Sequence, residues 1–113
     1  MKVNYKPTGT SRMGAPKQWE VWLADTPFGE TGKKRCAVVV AKRTPAGYTV
    51  HEVIPMSLKG GKDVAISDLI RAGQDRPVAV RTGTSAVVQN SAFVQKMGSL
   101  TEADISKIIT SKQ

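Results

Sequence analysis

The chain has 113 residues, 40% of them hydrophobic and 23% charged, with a mean hydropathy of −0.25, which suits one compact domain and is too apolar for a disordered segment. No run approaches the roughly eighteen apolar residues of a membrane span, and a polar N-terminus replaces the apolar stretch of a signal peptide, so a cytoplasmic, membrane-free protein is expected. One cysteine and one histidine leave too few soft ligands for a zinc site, so no metal and no cofactor is expected, and the net charge of +8 points to a polyanionic partner.

Residues 1–17 carry Lys2, Lys6, Arg12 and Lys17, no acidic residue and no periodicity, and read as a flexible basic arm ahead of a domain over 18–113. Trp19 to Ala24 places bulky residues at 19, 21 and 23, with Trp22 breaking the alternation, as in a strand covered on both faces at one end. Asp25 to Lys34 holds Pro27, Gly29 and Gly32 and reads as a long loop. It ends on Lys33, Lys34 and Arg35, which with Lys42 and Arg43 put five cations within eleven residues. Cys36 to Ala41 is an unbroken apolar run rich in valine, the pattern of a central strand. Thr44 to Gly47 turns the chain and Tyr48 to Ile54 returns as its hairpin partner.

Leu58 to Lys62 is glycine-rich loop, and Val64 to Ile70 fits either a strand or a helical turn. Pro77 to Thr82, Ser85 to Val88 and Ala92 to Met97 read as short strands. Thr101 is a good N-cap with Asp104 three residues on, and Ile105, Ile108 and Ile109 give one apolar face to a helix of about ten residues. The expectation is a mainly β domain, a small barrel closed off by a C-terminal helix. No repeat, P-loop, GxGxxG, HExxH, GxSxG or paired CxxC occurs.

Several of these segments together are similar to the MazF/PemK family of toxin endoribonucleases from type II toxin–antitoxin modules. Gln18 with Glu20-Val21-Trp22 resembles the opening strand. Arg35-Cys36-Ala37-Val38-Val39-Val40 resembles the strand after the loop, with Cys36 where the family has proline. Pro55-Met56-Ser57 matches a Pro-x-[Thr/Ser] step, and Gly98-Ser99-Leu100-Thr101 the approach to the last helix. The resemblance covers about residues 18–109. It implies an SH3-like barrel of the CcdB/PemK/MazF type, a homodimer, and metal-independent, sequence-selective cleavage of single-stranded RNA, neutralised by an acidic antitoxin. Its proposed catalytic pair falls on Arg35 and Ser57.

The chemistry agrees with those residue types. RNA supplies its own nucleophile in the 2′-OH, so the protein need only move a proton and stabilise an extra-negative phosphorane. Arginine stays protonated and its planar fork binds two phosphate oxygens. A serine hydroxyl donates to a phosphate oxygen but is no base at neutral pH. Glu20, Asp25 and His51 remain open as the base. Lys33 and Lys34, with Lys59 and Lys62 on a facing loop, supply a phosphate track, and Phe28 is a stacking candidate. The hairpin register expected from the Thr44–Gly47 turn sets Arg35 opposite Met56, beside Ser57, so that a shared site requires a bulge or a chain that leaves the strand at Pro55. The alternative from another class is a non-catalytic CcdB-like barrel whose positive mouth binds nucleic acid or a protein target such as a topoisomerase.

Overall fold

The computed structural model describes residues 14–28 and 34–112, so most of the expected basic arm, and Lys33, lie outside the described residues. Seven strands and one α-helix follow in chain order: β1 (Glu20–Thr26), β2 (Lys34–Thr44), β3 (Gly47–Pro55), β4 (Val64–Ala65), β5 (Val78–Val80), β6 (Ala86–Val88), β7 (Phe93–Ser99) and α1 (Glu102–Ser111). Single-turn 3₁₀ helices interrupt the chain at Met56–Leu58 and Asn90–Ala92. The mainly β class with a C-terminal helix is therefore as expected.

One antiparallel sheet runs β4-β5-β3-β2-β1-β7, with β6 also on β3. Strand β3 is shared along one edge, its first half pairing with β6 (Tyr48↔Val88 to Val50↔Ala86) and its last residues with β5 (Val53↔Val80 to Pro55↔Val78). The ladder itself does not close into a ring. Instead the curled sheet encloses two apolar clusters on its two faces. Trp22, Ala24, Val38, Val40, Tyr48, Val50, Val88 and Phe93 fill one face, Trp22 and Tyr48 each meeting the Phe93 ring edge-on at 5.7 and 5.2 Å. Val21, Val39, Val64, Ile66, Val80, Leu100 and Ile108 fill the other. Because β2 is covered on both sides, its two alternating sets must both be apolar, which is why Cys36 to Ala41 shows no polar alternation.

Three details depart from the sequence-based expectation. The first strand begins at Glu20 because Trp19 adopts the left-handed region (φ 68°). The β2–β3 register slips between Val40 and Lys42, so Ala41 is bulged; pairing runs Arg43↔Tyr48 and Lys42↔Thr49, then Val40↔Val50 to Val38↔Glu52. Continued, that register would set Arg35 opposite Pro55 rather than Met56, but the ladder ends at Val38↔Glu52. Third, Thr101 caps α1 by accepting from Asp104 N (3.3 Å), yet the Asp104 carboxylate does not return the bond as a capping box would. It is fully buried and accepts from Ser67 N, Ser67 Oγ, Asp68 N and Lys107 Nζ, which ties the helix to the turn after β4. The open segment at Val64–Ile70 is thus a two-residue strand followed by that turn.

Candidate nucleic-acid interface

At the mouth of β2 the alternation of the strand sends neighbouring cations to different partners. Arg35 stands directly across the ladder from Asp25, donating from Nε at 2.8 Å and from Nη2 at 3.3 Å. Both side chains are more than half exposed. The Arg35 guanidinium holds the Asp25 carboxyl below its usual range, and Asp25 in turn raises Arg35. Lys34, one residue earlier, reaches back to Glu52 at 3.1 Å. The two cations border one open cleft of about 590 Å³, together with Asp25 and Thr26 on one side and Gln89 and Ser91 on the other. Thr26 fixes that rim by donating to Lys34 O (2.9 Å) and accepting from Phe28 N (3.2 Å).

Glu52 is the hinge between this mouth and the loop that carries Ser57. It is 7% exposed and lies between Lys34 and Arg81, whose Nη1 is 3.9 Å from Glu52 Oε1. Arg81 also donates to Leu58 O (3.3 Å), the last residue of the Ser57 turn, and lies 3.7 Å from Asp63 Oδ2. Asp63 accepts from Gly60 N at 2.8 Å. A line of alternating charge, Lys34, Glu52, Arg81, Asp63, therefore runs from β2 to the 56–63 segment and holds its backbone in place.

Of the residues singled out from the sequence, Lys34 and Arg35 share the cleft. Ser57 does not join them: it is exposed on the 3₁₀ turn that the chain enters after Pro55, its hydroxyl has no partner among the described residues, and only the Glu52–Arg81 line connects it to the mouth of β2. The separation follows from the ladder, because β3 leaves β2 after Glu52 and pairs with β5 instead. Phe28 requires a correction. It is 8% exposed and packs in the core cluster with Trp22 and Phe93, so it offers no face to a base; closing the open end of that cluster outweighs exposure. Lys59 is exposed on the glycine loop, donating to Gly60 O (3.3 Å), whereas Lys62 borders a different cleft.

The three candidate bases are dispersed. Burial would raise Glu20, but bonds from Trp22 Nε1, Lys96 and Lys17 N outweigh it and hold the carboxyl below its usual range, as in a structural anion. His51 is buried on the opposite face from Lys34 and Glu52. Asp25 alone borders the cleft. Burial pushes the Cys36 thiol up, which suits a packing residue rather than a nucleophile. From the sequence, Glu52 and Asp25 are both possible ion-pair partners of Arg35; the structure gives Arg35 to Asp25, and Glu52 to Lys34 and Arg81. Sequence reading missed Arg81, although Glu52, inward between Val50 and Ile54, required a cation.

The fold finds a counterpart among solved structures. An endoribonuclease in complex with its cognate antitoxin, from a mycobacterial species, superposes with a TM-score of 0.64 over 88% of this chain and 91% of that one, at 17% sequence identity. The chain thus shares its fold with that endoribonuclease. No protein-family model and no curated protein matches the sequence.

Proposed function

We propose that the chain is a toxin endoribonuclease that cleaves single-stranded RNA at the mouth of β2. The observation that carries this reading is the exposed Arg35 fork beside Lys34 over an open cleft, in a fold shared with an endoribonuclease. Arg35 exchanges Asp25 for the scissile phosphate, since an exposed ion pair is weak against a phosphate that accepts the same fork. The 2′-oxygen attacks phosphorus, the P–O5′ bond breaks, the departing 5′-oxygen takes a proton from water, and the products are a 2′,3′-cyclic phosphate and a 5′-hydroxyl. Arg35 neutralises the charge that builds on the phosphorane oxygens. Asp25, once released, loses the partner that depresses its pKa and becomes the nearest acceptor for the 2′-OH proton. The Ser57 hydroxyl, on a turn held by Arg81, donates to a phosphate oxygen of the same strand.

No metal takes part in this scheme, because the substrate supplies the nucleophile and arginine the positive charge. The working unit is a cytoplasmic homodimer, and Lys34, Lys59 and Lys62 track the RNA backbone with the selectivity of the cut set by the cleft rim. An acidic antitoxin segment that folds on binding would cover Lys34 and Arg35 and block the cleft. Incubating the protein with a long mixed-sequence RNA in EDTA, beside Arg35→Ala, tests the reading. Discrete cuts with cyclic or 3′-phosphate ends, lost in the variant, support it. Intact RNA with a folded protein overturns it in favour of a non-catalytic binding barrel.

A further inference from the structure

On the face of the sheet opposite Glu52, a second cleft of about 730 Å³ opens between the C-terminal turn of α1 and strands β2 and β3. Lys42, Lys62 and Lys112 border it, and no acidic residue does among those described. The bulge at Ala41 builds it. In an unbroken strand Lys42 would share the face of Val38 and Val40; the extra residue pairs Lys42 with Thr49 and turns it to the side of Thr49 and His51. Gln18 Nε2 donates to the bulged Ala41 carbonyl at 2.8 Å and stabilises this geometry.

The floor of the cleft holds His51, 3% exposed. Its Nδ1 lies 2.9 Å from Thr84 O, and a carbonyl can only accept, so the ring proton sits on Nδ1. Nε2 then presents a bare lone pair, buried and without a hydrogen-bond partner. Burial lowers the pKa of the ring, the Thr84 carbonyl opposes it and the Lys112 ammonium lowers it further, while burial and then Lys42 lower Lys112 itself. Lys42 and Lys112 border the same cleft with no carboxylate among its described lining residues, a charge arrangement lacking its anion.

The rim carries a third element, an aromatic ring held at a cost. Trp19 has a φ of 68°, uncommon for a bulky residue, and is fixed there by Trp19 N donating to Val40 O (2.7 Å) and Leu100 N donating to Trp19 O (3.0 Å). This strained residue also lines the cleft. Cations for a phosphate, an orphaned acceptor for a hydroxyl and a ring for a base are the separate needs of one nucleotide, and the volume falls within the roughly 300–1,000 Å³ of ligand sites.

We infer that this cleft binds one ribonucleotide unit of single-stranded RNA, its phosphate between Lys42 and Lys112, its 2′-hydroxyl donating to His51 Nε2 and its base against Trp19. The inference rests on the RNA-cleaving reading for its substrate class and places a second contact on the far face of the sheet from the Lys34–Glu52 pair. It binds and orients RNA and has no part in the chemical step.

His51 is the only histidine, so its imidazole nitrogens give an unambiguous ¹⁵N signal. The test uses Arg35→Ala protein, titrated with a short single-stranded oligoribonucleotide, its all-deoxy counterpart and inorganic phosphate, with Trp19 fluorescence followed in parallel. The ribonucleotide should move the Nε2 resonance and quench Trp19. The deoxy strand should leave Nε2 unmoved. Lys42→Ala with Lys112→Ala, both exposed changes checked for folding by circular dichroism, should weaken the effect roughly tenfold. An unmoved Nε2 at saturating RNA, equal shifts from the deoxy strand or phosphate, or undiminished binding in the double variant would each overturn the site. Cleavage by the wild-type protein is scored separately, so loss of either reading is recognised without the other.

Discussion

Arg35 and Asp25 face each other across the β1–β2 ladder, with Arg35 Nε 2.8 Å from Asp25 Oδ1. The pairing keeps the guanidinium at the rim of the cleft and reserves it for a better anion. Arg35→Ala should lower RNA cleavage on the order of a hundredfold or more while most binding survives. Arg35→Lys should restore little, since a point charge does not replace the two-pronged contact. Single-turnover cleavage with a parallel filter-binding titration measures both.

Asp25→Asn separates the two roles assigned to this carboxylate. The variant frees Arg35, so RNA should bind more tightly, yet cleavage should slow by about a hundredfold if Asp25 accepts the proton. Faster cleavage in Asp25→Asn would show that its only function is to restrain Arg35.

Removing the Glu52 carboxylate should loosen two elements together. Glu52→Gln leaves Lys34 and Arg81 without their shared anion, and with those partners partly in water the cost should be about 1–2 kcal/mol in urea unfolding. Because Arg81 holds Leu58 O, the Ser57 turn should also lose amide-exchange protection, which a purely electrostatic surface role would not produce.

Acid should act first on His51 and later on Asp104. Burial lowers the His51 pKa below its ordinary 6.5, so the unfolded chain takes up a proton that the folded chain resists, and stability falls as pH drops below 6.5 toward the folded value. Burial alone would raise Asp104, but bonds from Ser67, Lys107 and Asp68 outweigh it and hold the carboxyl at about 2 against an ordinary 3.8. Its contribution, on the order of 2 kcal/mol, is present above pH 3.8 and is lost as pH falls through about 2. Urea midpoints across pH 2–7 for the wild type and His51→Gln should show the upper decline vanish in the variant, with the lower one retained.

Gly98 is set against the turn after β4. A Cβ there would meet Arg71 O and the Ala72 backbone, so neither neighbour can yield as a flexible side chain would. Gly98→Ala should cost about 3 kcal/mol and lower the unfolding midpoint, whereas Gly61→Ala, in open space, should be neutral.

Much of the fold was legible along the chain because its causes are local. The valine run of β2 marked a strand covered on both faces, Thr44–Gly47 marked the hairpin turn, and Thr101 with Ile105 and Ile108 marked the start and inner face of α1. The β2 cations were equally visible, being adjacent in sequence. Phe28 was not, since a residue beside a loop is core or surface according to whether a distant ring such as Phe93 arrives to cover it.

The site was decided by pairings between distant residues. A single bulged alanine moved Lys42 to another face, while the switch of β3 from β2 to β5 after Glu52 kept Arg35 from Ser57 and left Glu52 to connect Lys34 with Arg81. Sequence alone determined a small, basic, mainly β chain whose cations cluster beside an apolar strand. Which cations share a cleft, and which nitrogen of His51 lacks a partner, was set only by tertiary structure, because strand register turns on one residue and every side chain beyond a slip changes face.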